Sequence, residues 1–195
     1  MSSHTINRRK AIMTGIVLIV VAAAVVVFLL VAAMRPAEFF VARSAAIAAA
    51  VPDVFAQVND LRNWNAWSPW AKLDPAAVAT FDGPPAGTGA AFAWDGNNKI
   101  GEGRMTITNS RANELVRFRL EFMRPFKATN TAEFTFRPEG NRTVVTWTMS
   151  GTNNFIAKAM SLFINCDKMV GKQFEQGLAN MRTLVEGSAG AEPAR

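Results

Sequence analysis

The 195-residue sequence predicts an α+β fold: a curved antiparallel sheet of about seven strands wrapped around one long C-terminal helix, preceded by one transmembrane helix. Three observations predict it. Residues 11–34 are an apolar run without a charge. Between Val78 and Ser150, short stretches of alternating apolar and polar residues are separated by Gly, Pro and Asn. Val170, Phe174, Leu178, Met181 and Val185 then recur at helical spacing and draw one apolar stripe.

The N-terminal run, AIMTGIVLIVVAAAVVVFLLVAAM, is long enough as a helix to cross a hydrocarbon core of about 30 Å. Arg8, Arg9 and Lys10 precede it, and Arg35 and Arg43 follow, partly offset by Glu38. The denser positive side predicts a cytoplasmic N-terminus with the rest of the chain outside, periplasmic in a bacterium. A cleaved leader would share the basic start and the small residues Val31-Ala32-Ala33, yet the run far exceeds the roughly 7–15 residues of a leader's apolar core. A buried helix of a soluble core would need a polar face, which this segment lacks. Residues 1–43 hold five Lys/Arg and one acid; 44–195 hold 16 basic and 14 acidic residues. The net charge of +6 is therefore mostly an orientation signal, and nucleic acid is not an expected partner.

The remaining elements follow in order. Phe39–Ala48 reads as a strand. Pro52 and Asp53 open a short helix, since proline has no amide to waste in a first turn and the acid complements the helix dipole. A second helical turn spans Arg62–Trp67 and stops at Ser68-Pro69. Strands are expected at Val78–Phe81, Ala90–Asp95, Gly101–Asn109, Leu115–Phe122, Ala128–Arg137 and Thr143–Ser150, with turns at Asp95-Gly96-Asn97-Asn98 and Glu139-Gly140-Asn141. Asn153-Asn154 caps a helix running from Phe155 to about Glu186, with a break near Asn165–Asp167. The chain thus divides into a cytoplasmic tail 1–10, a transmembrane helix 11–34, a linker 35–38, a folded domain 39–186 and a disordered tail 187–195.

Strand parity assigns the faces. Phe92, Trp94, Met105, Ile107, Phe118, Leu120, Phe122, Phe134, Phe136, Val145, Trp147 and Met149 point inward, while Asp95, Glu102, Arg104 and Glu121 point outward. No charged residue belongs to the inward set. The sequence has one histidine, His4, one cysteine, Cys166, and no tyrosine. A disulfide within the chain and a cysteine-based zinc site are excluded, and the folded domain lacks the commonest acid–base side chains. No phosphate-binding loop, HExxH, GxSxG, GxGxxG or EF-hand pattern occurs.

The order strand, two short helices, six strands and long helix, together with Asp60-Leu61-Arg62-Asn63-Trp64-Asn65-Ala66-Trp67-Ser68-Pro69-Trp70, resembles the START-like superfamily of helix-grip proteins. Within it the chain is similar to the polyketide cyclase/dehydrase-type (SRPBCC) group. Gly101–Ile107, Pro125–Asn130 and Asp167–Lys172 are weaker matching segments. The resemblance spans about residues 39–186. It implies an apolar cavity between sheet and C-terminal helix that holds a lipid or another hydrophobic molecule, and it transfers no catalytic residue.

The expected cavity residues are Trp67, Trp70, Phe92, Trp94, Met105, Phe118, Phe122, Phe134, Trp147, Met160, Phe163 and Phe174. Trp64, Trp67 and Trp70 either rim a ligand entrance or cement the short helices onto the sheet. Three functions stay open: a membrane-anchored, non-catalytic carrier of a hydrophobic small molecule or lipid, with no cofactor and no metal; a scaffold with a filled core that meets a protein partner of the cell envelope; and a cyclase/dehydratase-type enzyme using Glu102 or Glu121.

Overall fold

The computed structural model describes residues 3–163 and 165–189. The chain forms two compact units.

One unit contains α1 (Ser3–Met34) and α4 (Phe155–Met160). α1 begins well before the apolar run, so most of the expected N-terminal tail is helical: the basic residues at 8–10 interrupt the hydrophobicity but are good helix formers. Its segment Met13–Met34 is long and apolar enough to cross a membrane, rising about 33 Å. The Asn154 side chain caps α4 by accepting from the Ala157 amide at 2.9 Å.

The other unit contains seven strands with α2, α3 and α5. β1 (Glu38–Ile47) is followed by α2 (Val51–Asn59), a 3₁₀ turn (Leu61–Asn63) and α3 (Trp64–Trp67). β2 (Val78–Asp82), β3 (Ala91–Asp95), β4 (Glu102–Arg111), β5 (Leu115–Arg124), β6 (Ala128–Glu139) and β7 (Arg142–Thr152) then form an antiparallel meander. β1 closes onto β7, giving the order β1-β7-β6-β5-β4-β3-β2. α5 (Cys166–Ala189) is the long C-terminal helix. The helical stretch expected from Phe155 is two helices, α4 ending at Met160 and α5 starting at Cys166, within the break expected near Asn165–Asp167, and α5 carries three residues past the expected end at Glu186. The rest of the expected tail, 190–195, lies outside the described residues.

The parity reading accounts for the core. Met105, Ile107, Phe118, Phe134, Phe136, Val145 and Trp147 are buried on the face that meets Phe174, Leu178, Met181 and Val185 of α5. Phe174 stacks on Trp147 with ring centroids 4.0 Å apart and planes 8° from parallel, and Phe134 stacks on the other side of the same indole. On the outer face, cross-strand pairs such as Arg117–Glu133 and Arg104–Asp82 stay in water.

The tryptophan-rich segment holds α2. A helix leaves its last carbonyls without intrahelical partners. Here the indole N–H of Trp67 donates to the Gln57 carbonyl and that of Trp64 to the Val58 carbonyl, both at 3.0 Å, while the Asn63 side chain donates to Ala56. Each bond contributes about 0.5–1.5 kcal/mol, and the two indole bonds also place a large aromatic body in the core. From α5, the Asn180 side chain donates to the Trp67 carbonyl at 3.0 Å.

α5 is tied to β1 by one arginine. The Arg43 guanidinium donates to both Asp167 carboxylate oxygens at 3.1 Å and to Glu175 at 2.7 Å. The helix crosses close to it because residue 171 is glycine; a Cβ there would overlap the guanidinium.

Candidate ligand-binding site

The inward faces of β2–β7 do not close fully onto α5. They leave a cavity of about 630 Å³. The sheet contributes Phe92, Trp94, Met105, Phe118, Leu120, Phe122, Ala132, Trp147 and Met149. α5 contributes Val170 and Phe174. The segment from α3 towards β2 adds Trp64, Asn65, Ser68, Trp70, Ala71, Asp74, Pro75 and Ala77, and the β3–β4 loop adds Asn98, Lys99 and Ile100.

Local structure explains these walls. Trp94 lies flat over Gly103, its partner across the β3–β4 ladder, and donates its indole N–H to the Ile100 carbonyl at 3.2 Å. Phe92 stacks beside it and Phe122 meets it edge-on, both at 6.0 Å between centroids. Asp74 ties the two bordering loops together: its carboxylate accepts from the Ala76 and Asn97 amides, while the Asn97 side chain donates to the Leu73 carbonyl. Gly101 turns the β3–β4 loop with φ +65°, and the Arg124 carbonyl leaves no room there for a side chain. Arg124 borders the cavity with its guanidinium directed to Glu102 at 2.8 Å and to Asp95. The hydrogen bond to Glu102 and the charge of Asp95 raise its pKa above the ordinary guanidinium value, so it is a permanent cation.

Two polar groups of the wall stand apart. Ser68 is more than nine-tenths buried, and among the described residues its hydroxyl has no hydrogen-bond partner. The buried Trp147 indole nitrogen also lacks one. Most of the remaining wall is apolar or aromatic, with methionine adding an adaptable surface, and the other polar lining residues are Asn65, Asp74, Asn98, Lys99 and Arg124.

Of the residues expected from sequence, Trp70, Phe92, Trp94, Met105, Phe118, Phe122, Trp147 and Phe174 line the cavity. Trp67 and Phe134 do not. Both are fully buried behind the wall, Trp67 because its indole caps α2 and Phe134 because it packs beneath the Trp147 indole. Met160 and Phe163 do not line it either. They belong to the unit of α1 and α4 and are exposed, because the chain turns out of the helix before α5 begins. Sequence reasoning missed Asp74, Asn98, Lys99 and Arg124 as wall residues, since their positions depend on how loops fold back over the sheet; periodicity carries no such signal.

Glu102 and Glu121, the carboxylates considered for acid–base chemistry, pair with Arg124 and Arg119 at 2.8 Å, and neither lines the cavity. The wall's own carboxylate, Asp74, is engaged by backbone amides.

The family model described as polyketide cyclase / dehydrase and lipid transport matches residues 39–186, all of the sheet but Glu38 together with nearly all of α5. The chain belongs to this family. Membership in the polyketide cyclase / dehydrase and lipid transport family supports a domain that binds hydrophobic ligands. Solved structures share the fold. Protein MLL2253 from Mesorhizobium loti aligns with a TM-score of 0.57 at 12% identity, over 76% of this chain and 97% of that one. Protein CV1439 from Chromobacterium violaceum gives 0.55 at 14%, over 78% and 99%. Protein Ms6760 from Mycobacterium smegmatis gives 0.54 at 18%, over 76% and 92%. Comparison with curated proteins finds no match.

Proposed function

We propose that this family member is a membrane-anchored, non-catalytic module that holds a hydrophobic small molecule or lipid in the cavity between sheet and α5. The observation that carries the reading is the cavity itself. Its volume of about 630 Å³ lies within the roughly 300–1,000 Å³ of small-molecule sites, and its wall is apolar with few polar groups. Ser68 offers that wall a hydroxyl for one oxygen of the ligand. A ligand that fills the space gains from area removed from water, about 25 cal/mol per Å².

The helix through Met34 supports anchoring, and the basic cluster before the apolar run supports a cytoplasmic N-terminus with the folded domain outside. A carrier so placed draws its ligand from the adjacent bilayer.

Native mass spectrometry of the full chain, released from membranes in mild detergent, tests the reading. A reproducible bound mass that vanishes in Leu120→Trp, which projects an indole into the cavity, is the expected result. A folded wild-type chain that takes up nothing from a total membrane extract sinks the carrier and leaves the scaffold reading.

A further inference from the structure

We infer that residues 155–163 lie in the lipid headgroup layer, as a second membrane contact beside the end of α1. The inference rests on the reading of α1 as a membrane-spanning helix and concerns a separate segment of the chain.

Phe155, Ile156, Met160 and Phe163 are all exposed, Phe163 to 79%. Their spacing of one, four and three residues puts them along one side of a helical turn. Ala157, Lys158 and Ser161 fall between them and are only partly exposed. Apolar side chains gathered outward on so short a segment meet something other than water.

The occupant follows from continuity with α1. Phe163 packs against Phe28 with ring centroids 6.0 Å apart. Phe28 stands six residues before Met34, so it lies about 9 Å down the helix axis from the end of the apolar run. Interfacial helices bury their apolar side about 5–10 Å into the boundary of headgroups and acyl chains. The depth set by Phe28 therefore places the Phe163 ring within that boundary. Polar contacts fix the level above it. Arg35, the first residue beyond α1, donates to the Ser161 carbonyl at 3.1 Å and to its hydroxyl at 3.3 Å. A guanidinium one residue past a span sits at the phosphates, so Ser161 is held at headgroup height while Phe163 points below it. A protein partner would have to reach these side chains through the lipid already surrounding Phe28.

The test uses the full chain in vesicles of phosphatidylcholine and phosphatidylglycerol. With the one cysteine replaced (Cys166→Ser), single cysteines at Phe163, Ile156, Val25 and Asn141 carry an environment-sensitive nitrobenzoxadiazole dye. The expected result is blue-shifted emission at 163 and 156, shielded from aqueous iodide and quenched by lipids spin-labelled near the headgroup. Val25 reports the bilayer interior and Asn141 reports water. Water-like emission at both 156 and 163, with Val25 still in lipid, overturns the inference and leaves the spanning helix intact. Water-like emission at Val25 overturns the spanning reading itself. Blue-shifted emission at 163 and 156 that lipid-borne quenchers do not touch assigns the surface to protein and also overturns the inference.

Discussion

Gly103→Ala sets two physical effects of opposite sign against each other. Glycine to alanine at a position without backbone strain stabilises by about 0.4–1 kcal/mol, because the unfolded chain loses freedom. On that argument alone the variant gains stability. The structure predicts the opposite. A Cβ at residue 103 would lie 2.6 Å from Cη2 of Trp94, closer still to Cζ2, and 2.7 Å from the Glu121 carbonyl oxygen. The carbonyl belongs to β5 and is held by the ladder, so its close contact remains as strain, and the indole must leave to make room for the Cβ. Its departure breaks the bond to Ile100, about 0.5–1.5 kcal/mol, and the ring contacts with Phe92 and Phe122, about 0.5–1.5 kcal/mol each. The expected net loss is about 1–4 kcal/mol after the chain-entropy gain. Urea unfolding of the full chain in micelles, followed by tryptophan fluorescence, reads this as a lower midpoint at unchanged slope. Trp94→Ala and the double variant complete a cycle, with a coupling of at least about 1 kcal/mol expected between the two positions. A stabilised Gly103→Ala chain, or effects that add within about 0.5 kcal/mol, would refute the argument that residue 103 is glycine to seat the indole.

Other consequences can be measured in the same way. Phe174→Ala removes the ring stacked on Trp147 and should cost about 3–5 kcal/mol in thermal unfolding; a loss below about 1 kcal/mol would mean that this stack does not hold α5 to the sheet. Ser68→Ala should leave stability within about 0.5 kcal/mol, yet weaken binding of a long-chain alcohol probe about 5–10-fold, and equal affinities would remove Ser68 from ligand recognition. Hydrogen bonds from Arg43 hold the Asp167 carboxyl below its ordinary value of 3.8. Its folded pKa is below its unfolded one, so its contribution is complete above pH 3.8 and is lost as pH falls through the lower folded value. Melting temperature should accordingly fall less steeply below pH 4 in Asp167→Asn than in the wild type, and superimposable acid limbs would contradict the assignment.

The strands and their inward faces were legible because a pleated backbone alternates side chains with period two, whatever it packs against. The stripe from Val170 to Val185 was legible for the analogous reason at period 3.6. The apolar run before Met34 announces itself by length alone. These patterns are properties of the local chain, so the sequence by itself determined the order of elements, the core-facing residues and the fold class. Parity also named most of the aromatic cavity wall, because wall and core lie on the same face. It could not separate them. Phe118 touches the cavity while Phe134, on the same face, lies fully behind it, and that depends on where α5 and the loop after α3 leave space. In sequence Trp67 either rims an entrance or cements the short helices, and the structure has its indole capping α2, a contact between segments ten residues apart. Met160 and Phe163 fit the helical pattern before the expected break near Asn165–Asp167, and the chain's division before α5 sets them in another unit. Asp74, Lys99 and Arg124 reach the cavity through loops that no periodicity describes. Only the tertiary structure decided these points, because a cavity is bounded by segments far apart in the chain, and its shape follows from the space they leave rather than from any one segment's pattern.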